Sequence, residues 1–237
     1  NPKVSKNKYH KFSIPKKSGE ERIIHAPKKG LKAIQRTITD LLTLIYEPNI
    51  CVNGFVPKRS IIDNAIPHVS KNYVYNIDLK DFFPSIEMRR VKACLKLPPF
   101  NLNDKTAFLV ANICCEKLTV SKEVNGVIKN YEALVLPQGA PTSPIITNIV
   151  SQRLDRRLIG IAKRFGLTYS RYADDITFSS DHNIYQNNSE FITELERIIG
   201  VENFRINESK TRLQKSAYKQ EVTGLIVNEK VNVNSRY

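Results

Sequence analysis

Two short stretches of this sequence place carboxylates where chemistry could use them. The first is Arg171-Tyr172-Ala173-Asp174-Asp175-Ile176-Thr177-Phe178, an aspartate pair between strand-forming residues. Taken alone, that pair reads as a solvated acidic turn. The second is Asn76-Ile77-Asp78-Leu79-Lys80-Asp81-Phe82-Phe83, another strand that ends in acid. Tyr73, Tyr75, Ile77 and Leu79 alternate onto one face of this strand, and Val74, Asn76 and Asp78 onto the other. Asp78 can therefore face the same cleft as the pair. Three carboxylates held together repel one another unless cations neutralise them. Hard oxygen donors select Mg²⁺, with Mn²⁺ as the alternative. Two such ions, about 3.5–4 Å apart, clamp the attacking and leaving oxygens of an in-line phosphoryl displacement.

The surrounding chain is basic. Its 37 Lys and Arg against 23 Asp and Glu give a net charge of +14. Such a surplus favours polyanionic partners, because each cation that neutralises a phosphate releases a condensed counterion. A solvated basic surface is the plainer alternative. An acidic cluster in so basic a chain is a functional clue. The 41% apolar and 25% charged shares match ordinary globular usage, which excludes wholesale disorder and fibrous repeats. The 237 residues suffice for one large domain or two small ones with a real core. No apolar run approaches the roughly 18 residues of a membrane span. The basic segment Asn1–Phe12 lacks the apolar stretch of a signal peptide. A soluble chain with no membrane partner is expected. Cys51, Cys94, Cys114 and Cys115 form no C-x-x-C pair, and Cys114–Cys115 read as small buried hydrophobes. With the histidines scattered, a zinc site is not expected and a reducing compartment fits.

The elements that must position these residues are mixed. Phe12–Ile14 and Arg22–Ile24 read as strands around a basic turn. Leu31, Ile34, Ile38, Leu41, Leu42 and Ile45 have helical spacing, and Pro48 stops that helix. Ser60–Val69 reads as a short helix and Tyr73–Leu79 as a strand. Glu87–Leu95 and Asn103–Cys115 read as helices. Leu118–Val124 and Val127–Val135 flank Asn125-Gly126, a type I′ turn pair, and predict a hairpin. Pro137–Pro144 is a turn-rich loop, after which Ser143 can cap a helix running to about Phe165. Strands meet at a tight turn within Thr168–Ser180. A helix over Glu190–Ile199 and strands near Asn203–Ile206 and Val222–Val227 complete the pattern. Without strict βαβ alternation, the fold class is α+β.

Three motifs in order carry a resemblance. Tyr172-Ala-Asp-Asp175 resembles the catalytic hairpin of reverse transcriptases, and Asp78 with Phe82-Phe83 resembles their other metal-binding strand. Leu136-Pro-Gln-Gly-Ala-Pro-Thr-Ser-Pro144 is similar to the loop and helix these enzymes place under the incoming nucleotide. The match covers nearly the whole chain. Asn64-Ala-Ile-Pro-His68 and Val222-Thr-Gly224 resemble two further motifs typical of the bacterial retron branch. A helix start with a surface histidine and an ordinary strand kink are the plainer alternatives for these two.

The resemblance implies a right-hand polymerase fold, with an antiparallel palm sheet backed by helices and a fingers subdomain. Fingers would span 1–72 and palm 73–237, with part of the fingers returning at about 87–135 and a thumb beyond 237. It implies that Asp78, Asp174 and Asp175 ligate two Mg²⁺ ions, with the Leu79 carbonyl as an extra ligand. Lys17 and Arg22 would hold the triphosphate, a role that suits the guanidinium fork; for Lys17 an exposed turn is the alternative. Gln138 and Gly139 would lie against the nucleotide. Phe83 would block the sugar's 2′ position, unless it is a core aromatic. Lys210 would lie near the pyrophosphate, unless it is a solvated loop lysine. Val222–Val227 would form a strand hairpin that, through Val222, Thr223 and Gly224, grips the primer end. The Leu118–Val135 hairpin looks like an insertion. The implied activity is RNA-directed DNA synthesis from dNTPs on a structured noncoding RNA, started from a 2′-hydroxyl and yielding RNA-linked DNA. An effector protein, anti-phage defence and a bacterial cytoplasmic location belong to the same implication. A group II intron or other defence-associated enzyme, and a non-catalytic RNA-binding scaffold, are the rivals.

Overall fold

The computed structural model describes residues 8–15, 19, 21–124 and 127–233. A hairpin of β1 (Tyr9–Pro15) and β2 (Glu21–Pro27) precedes α1 (Lys29–Ile45). Next come α2 (Ile61–Ala65), a 3-10 turn (Ile66–His68), β3 (Tyr73–Asp78), α3 (Met88–Leu95) and α4 (Asp104–Cys114). A second hairpin, β4 (Glu116–Val124) with β5 (Val127–Val135), leads into α5 (Ser143–Arg164). The remaining elements are β6 (Thr168–Tyr172), β7 (Asp175–Ser180), α6 (Glu190–Val201), a 3-10 turn (Glu208–Lys210), β8 (Arg212–Lys215), β9 (Glu221–Val222) and β10 (Leu225–Ile226). The chain divides into two compact units, Asn1–Glu47 with Phe83–Val150 and Pro48–Phe82 with Ser151–Tyr237.

In the first unit, β1 and β2 pair antiparallel from Tyr9↔Pro27 to Pro15↔Glu21. Lys16 and Lys17, expected at the tip of this hairpin, lie outside the described residues. Helix α1 forms where its spacing predicts, yet of its apolar stripe only Leu42 is buried, while Ile34, Leu41 and Ile45 stay exposed. The helix docks through a polar residue instead: buried Gln35 donates to the Tyr9 hydroxyl at 3.0 Å and to the Ile113 carbonyl at 2.9 Å. Asn103 caps α4 by accepting the Thr106 N–H. The β4–β5 hairpin forms with Glu116 opposite Val135; Asn125 and Gly126, expected at its turn, lie outside the described residues. Cys114 and Cys115 are buried as predicted, and desolvation pushes the Cys114 thiol up to about 12. Ser143, expected to cap α5 with its side chain, instead donates its hydroxyl to the Pro137 carbonyl at 2.6 Å. That bond closes the loop before the helix.

The second unit is built on an antiparallel sheet ordered β6-β7-β3-β8. Strand alternation gives it two unlike faces. Tyr169 and Arg171 of β6, Ile176 and Phe178 of β7, and Tyr75 and Ile77 of β3 share one face by register. Helices α5 and α6 back this face. Phe178 meets Phe191 of α6 edge-on at 5.2 Å, Tyr169 lies 5.1 Å from Phe178, and both Tyr169 and Arg171 bond Asp155 of α5. Each such aromatic pair contributes about 0.5–1.5 kcal/mol beyond its buried area. The opposite face carries Val74, Asn76, Asp78, Ser170, Asp175, Thr177 and Ser179, as the alternation in β3 predicts for its own residues.

Two expectations from local pattern are corrected here. Asn203–Ile206 forms no strand: Asn203 adopts a positive φ of 57°, and only Ile206 bridges antiparallel to Leu79. The fourth strand is Arg212–Lys215 instead. Val222–Val227, one strand by its local pattern, is the strand hairpin that the resemblance implies: β9 and β10 pair antiparallel, folded around Thr223 (φ 52°) and Gly224. Ser60–Val69 is helical as predicted, but Pro67 divides it into α2 and the 3-10 turn. Ser60 and Asp63 form a capping box at its start.

Candidate active site

The turn bearing Asp174 and Asp175 is held from behind. Arg171 is fully buried and grips Asp155 with two 2.7 Å bonds, from Nε to Oδ1 and from Nη2 to Oδ2. Its remaining Nη1 donates to the Ala173 carbonyl at 3.0 Å, and Tyr169 donates its hydroxyl to Asp155 Oδ1 at 2.7 Å. A buried charge is tolerated only when paired and hydrogen-bonded in this way. The effect is to fix Ala173 at φ 58°, a conformation that L-residues resist, so that the chain reverses between Tyr172 and Asp175. A flanking segment seals the edge of β6: Asn53 N–H donates to the Arg171 carbonyl, and Arg171 N–H to the Cys51 carbonyl. A Cβ on Gly54 would lie 2.3 Å from the Ala173 nitrogen, so only glycine fits against the turn.

Asp78 and Asp175 are direct cross-strand partners, so their side chains leave the sheet on the same face. Asp174 immediately precedes Asp175 in the turn, its carbonyl accepting the N–H of buried Leu79 at 3.1 Å. The structure thus brings Asp78, Leu79, Asp174 and Asp175 to one corner of the sheet. Asp78 is buried, and both its oxygens are engaged from the Asn207–Lys210 turn: Asn207 Nδ2 donates to Oδ1 at 2.9 Å and Lys210 Nζ to Oδ2 at 3.1 Å. Lys210 is an exposed lysine whose ammonium nonetheless pairs with Asp78. The Asp175 carboxyl is pushed up to about 6, first by partial desolvation, although the residue keeps solvent access, and then by the charges of Asp174 and Asp78. Lys210 and Arg212 oppose the shift. Among the described residues, no three or more His, Cys, Asp or Glu side chains are arranged as a metal-binding group. The chemistry of the donor set nonetheless fits a hard divalent cation: three carboxylates, crowded enough that one resists ionisation, with an ammonium resting on another.

The residues expected around the nucleotide, Lys17, Arg22, Phe83, Gln138 and Gly139, belong to the first unit. Arg22 is exposed on β2 opposite Ile14, and Lys17 falls outside the described residues. The Gln138 carbonyl accepts the His25 N–H at 2.8 Å, which ties the Pro137–Ala140 loop to the same strand as Arg22. Gly139, at φ 115°, lets that loop approach: a Cβ there would lie 2.7 Å from the Ile24 side chain. Phe83 is half-buried; the core aromatic of the Phe-Phe pair is Phe82, which packs at 5.5 Å from Phe204.

The two remaining motifs meet each other. Asn64 is fully buried, accepts from Asn53 Nδ2 at 3.1 Å and donates to the Thr223 hydroxyl at 2.7 Å. Ala65 packs with Val74, Val222, Leu225 and Val227 in one apolar cluster. His68 is no surface histidine. It is fully buried between Ser179 on Nδ1 and Ser170 on Nε2, each at 2.7 Å, and burial pushes it down to about 3. The Ser170 hydroxyl lies 3.4 Å from the Asn64 carbonyl. If its hydrogen is spent there, His68 donates from Nε2 and accepts at Nδ1. Sequence reading missed Asp155, Gly54 and Asn207. Of these, Asp155 had a signal, because Arg171 shares a strand face with Tyr169, and a buried arginine demands an acid.

Residues 14–227 match the sequence family described as reverse transcriptase (RNA-dependent DNA polymerase). The chain belongs to the reverse transcriptase family. It is 40% identical over 236 residues to the retron Mx65 reverse transcriptase of Myxococcus xanthus, covering 96% of this chain and 53% of that protein. It is 38% identical over 232 residues to the retron Mx162 enzyme of the same organism, covering 93% and 47%. The retron Ec83 reverse transcriptase of Escherichia coli is 33% identical over 219 residues, covering 92% and 67%. The chain thus spans about half the length of the first two relatives. Among solved structures, telomerase from Candida albicans, in complex with a fragment of telomeric RNA, superposes with a TM-score of 0.62 at 13% identity. That match covers 96% of this chain and 46% of the telomerase chain. Apo telomerase from Candida tropicalis gives 0.60 at 14% identity, covering 96% and 55%. The fold is the α+β polymerase fold of this reverse transcriptase family. Among the described residues, no helix is long and apolar enough to cross a membrane.

Proposed function

We propose that this chain carries the nucleotidyl-transfer site of a retron RNA-directed DNA polymerase. The observation that carries the reading is the register: Asp78 and Asp175 face one another on adjacent strands, with Asp174 immediately before Asp175 in the turn. In this reading Asp78, Asp174 and Asp175, with the Leu79 carbonyl, hold two Mg²⁺ ions, or Mn²⁺, whose chemistry is to activate the attacking oxygen and stabilise the leaving one. The chain's own residues orient the reactants. Asn207 and Lys210 fix the Asp78 carboxylate, and Lys210 lies ready to meet the pyrophosphate. Arg22 and Lys17 bind the triphosphate of a dNTP, and Gln138 and Gly139 form the surface under its base and sugar. The half-buried Phe83 ring excludes a 2′-hydroxyl. Val222, Thr223 and Gly224 grip the primer end. Fingers at 1–72 and 87–135, and a palm over 73–237, belong to the same proposal. So do synthesis from a 2′-hydroxyl of a structured noncoding RNA, an RNA-linked DNA product, an effector protein, anti-phage defence and a cytoplasmic setting.

Primer extension by the full chain on an RNA template tests this reading. Asp174→Asn should lower dNTP incorporation about a hundredfold or more, the scale beyond which loss of a metal ligand exceeds loss of its supports, while RNA binding measured by anisotropy stays within twofold. Undiminished incorporation by the variant would remove the aspartates from the chemistry. A wild-type chain that binds RNA but never extends a primer would favour the scaffold rival.

A further inference from the structure

Tyr218 is 73% exposed, more than any other described Phe or Tyr. It lies in the turn between β8 and β9, in Lys215-Ser-Ala-Tyr218-Lys219, whose five residues are all exposed. A single exposed aromatic is ordinary. This one is distinguished by how firmly its backbone is held. Tyr218 N–H donates to the Lys215 carbonyl at 2.9 Å, and Ser216 N–H to the Asn72 carbonyl at 2.9 Å. Asn228 clasps the loop from beneath: its Nδ2 donates to the carbonyls of Tyr218 at 2.8 Å and Ser216 at 3.3 Å, and its Oδ1 accepts the Gln220 N–H at 2.9 Å. Gln220 is fully buried below the loop. The turn is therefore pre-organised, and the ring it presents has no aromatic partner among the described residues.

Lysines stand on either side of Tyr218 along the loop. Exposed Lys219 pairs with half-buried Glu221 at 2.8 Å, and its ammonium keeps solvent access through which a phosphate can reach it. Lys215 meets no carboxylate among the described residues. An exposed ring on a rigid turn, with ammonium groups one residue after it and three before, suits a nucleotide whose base is unpaired. Every base offers a π-face to stack, and the neighbouring phosphates supply the charge.

We propose that the Lys215–Lys219 loop binds unpaired RNA, with Tyr218 stacking on a base and Lys215 and Lys219 holding adjacent phosphates. The choice of RNA over other polyanions rests on the polymerase reading above.

The test is fluorescence anisotropy of the full chain with a labelled twelve-nucleotide oligouridylate, beside a blunt RNA duplex. Tyr218→Ala should weaken oligouridylate binding about five- to a hundredfold, the range measured when a stacking ring is truncated, while Tyr218→Phe binds like wild type and the duplex is unaffected. Lys215→Ala should reduce the salt slope by about 0.7, one single-strand phosphate contact. Equal affinity of Tyr218→Ala and wild type for oligouridylate would overturn the proposal, as would parallel losses on duplex and single strand. So would a variant that binds RNA normally but loses a co-purifying protein. Asp174→Asn touches no residue of this loop, so failure of the polymerase reading is seen separately in primer extension.

Discussion

Asp175 concentrates the electrostatic strain of the acidic corner. Its ordinary carboxyl value of 3.8 rises to about 6 because partial burial and two like charges penalise the ionised form. A carboxyl shifted upward destabilises the folded chain as it ionises. The penalty is absent below about pH 4, where the group is protonated in folded and unfolded chain alike, and complete above about pH 6. Asp175→Asn should therefore raise the melting temperature at pH 7.5 in the presence of a chelator, with the gain shrinking as pH falls toward 4. A gain independent of pH would detach the effect from this carboxyl. His68 is the opposite case: buried between two serines and held down to about 3, it stays neutral throughout this range and serves as a strut. The acids were legible in the sequence because carboxylates stand out against apolar strands. Asp155 was legible only through Arg171, whose place on the core face of β6 demands an acid; its own helix setting, 16 positions away, carries no mark.

At the scale of elements, α2 and the β9–β10 turn are joined by a part-buried hydrogen bond between side chains 159 positions apart, from buried Asn64 Nδ2 to the Thr223 hydroxyl. Thr223→Val keeps the shape and leaves the Asn64 amide with an unmet donor, which costs about 1–3 kcal/mol when buried. Urea denaturation should show that loss, and a double-mutant cycle with Asn64→Ala should give a coupling of about 0.5–3 kcal/mol. Additive single effects would show that the two motifs are independent. Periodicity located nearly every helix and most strands, because amphipathic spacing is a local property. It failed at Asn203–Ile206, where a left-handed Asn203 and the demands of Asp78 override local strand preference, and at Val222–Val227, where Thr223 and Gly224 bend the chain back. It also placed α1 but not the face it uses. There a glutamine whose Nε2 donates twice shares the buried side with Leu42, which apolar spacing does not reveal.

For the whole molecule, a net charge of +14 goes together with a sheet corner made of acids. RNA affinity should then be strongly salt-dependent, falling about tenfold or more between 50 and 200 mM KCl if three or more phosphates are neutralised. A flat response would mean that the basic residues serve another purpose. The general class of the chain was readable from this balance and three ordered motifs. What they could not convey was the long-range bracing behind the acids, since Cys51–Gly54, Asp155 and Asn207 come from distant parts of the sequence.

One feature of the sheet bears on how such a chain can go wrong. Its helix-packed and acid-bearing faces alternate residue by residue along β3 and β7. A slip of β7 by a single position would exchange the two sets, driving Asp175 and Thr177 against the helix-backed core and turning Ile176 and Phe178 onto the face where Asp78 carries its charge and His68 lies buried between two serines. Misregistered chains would thus lose reactivity and cohesion together, which leaves folding little room for a stable but inert by-product.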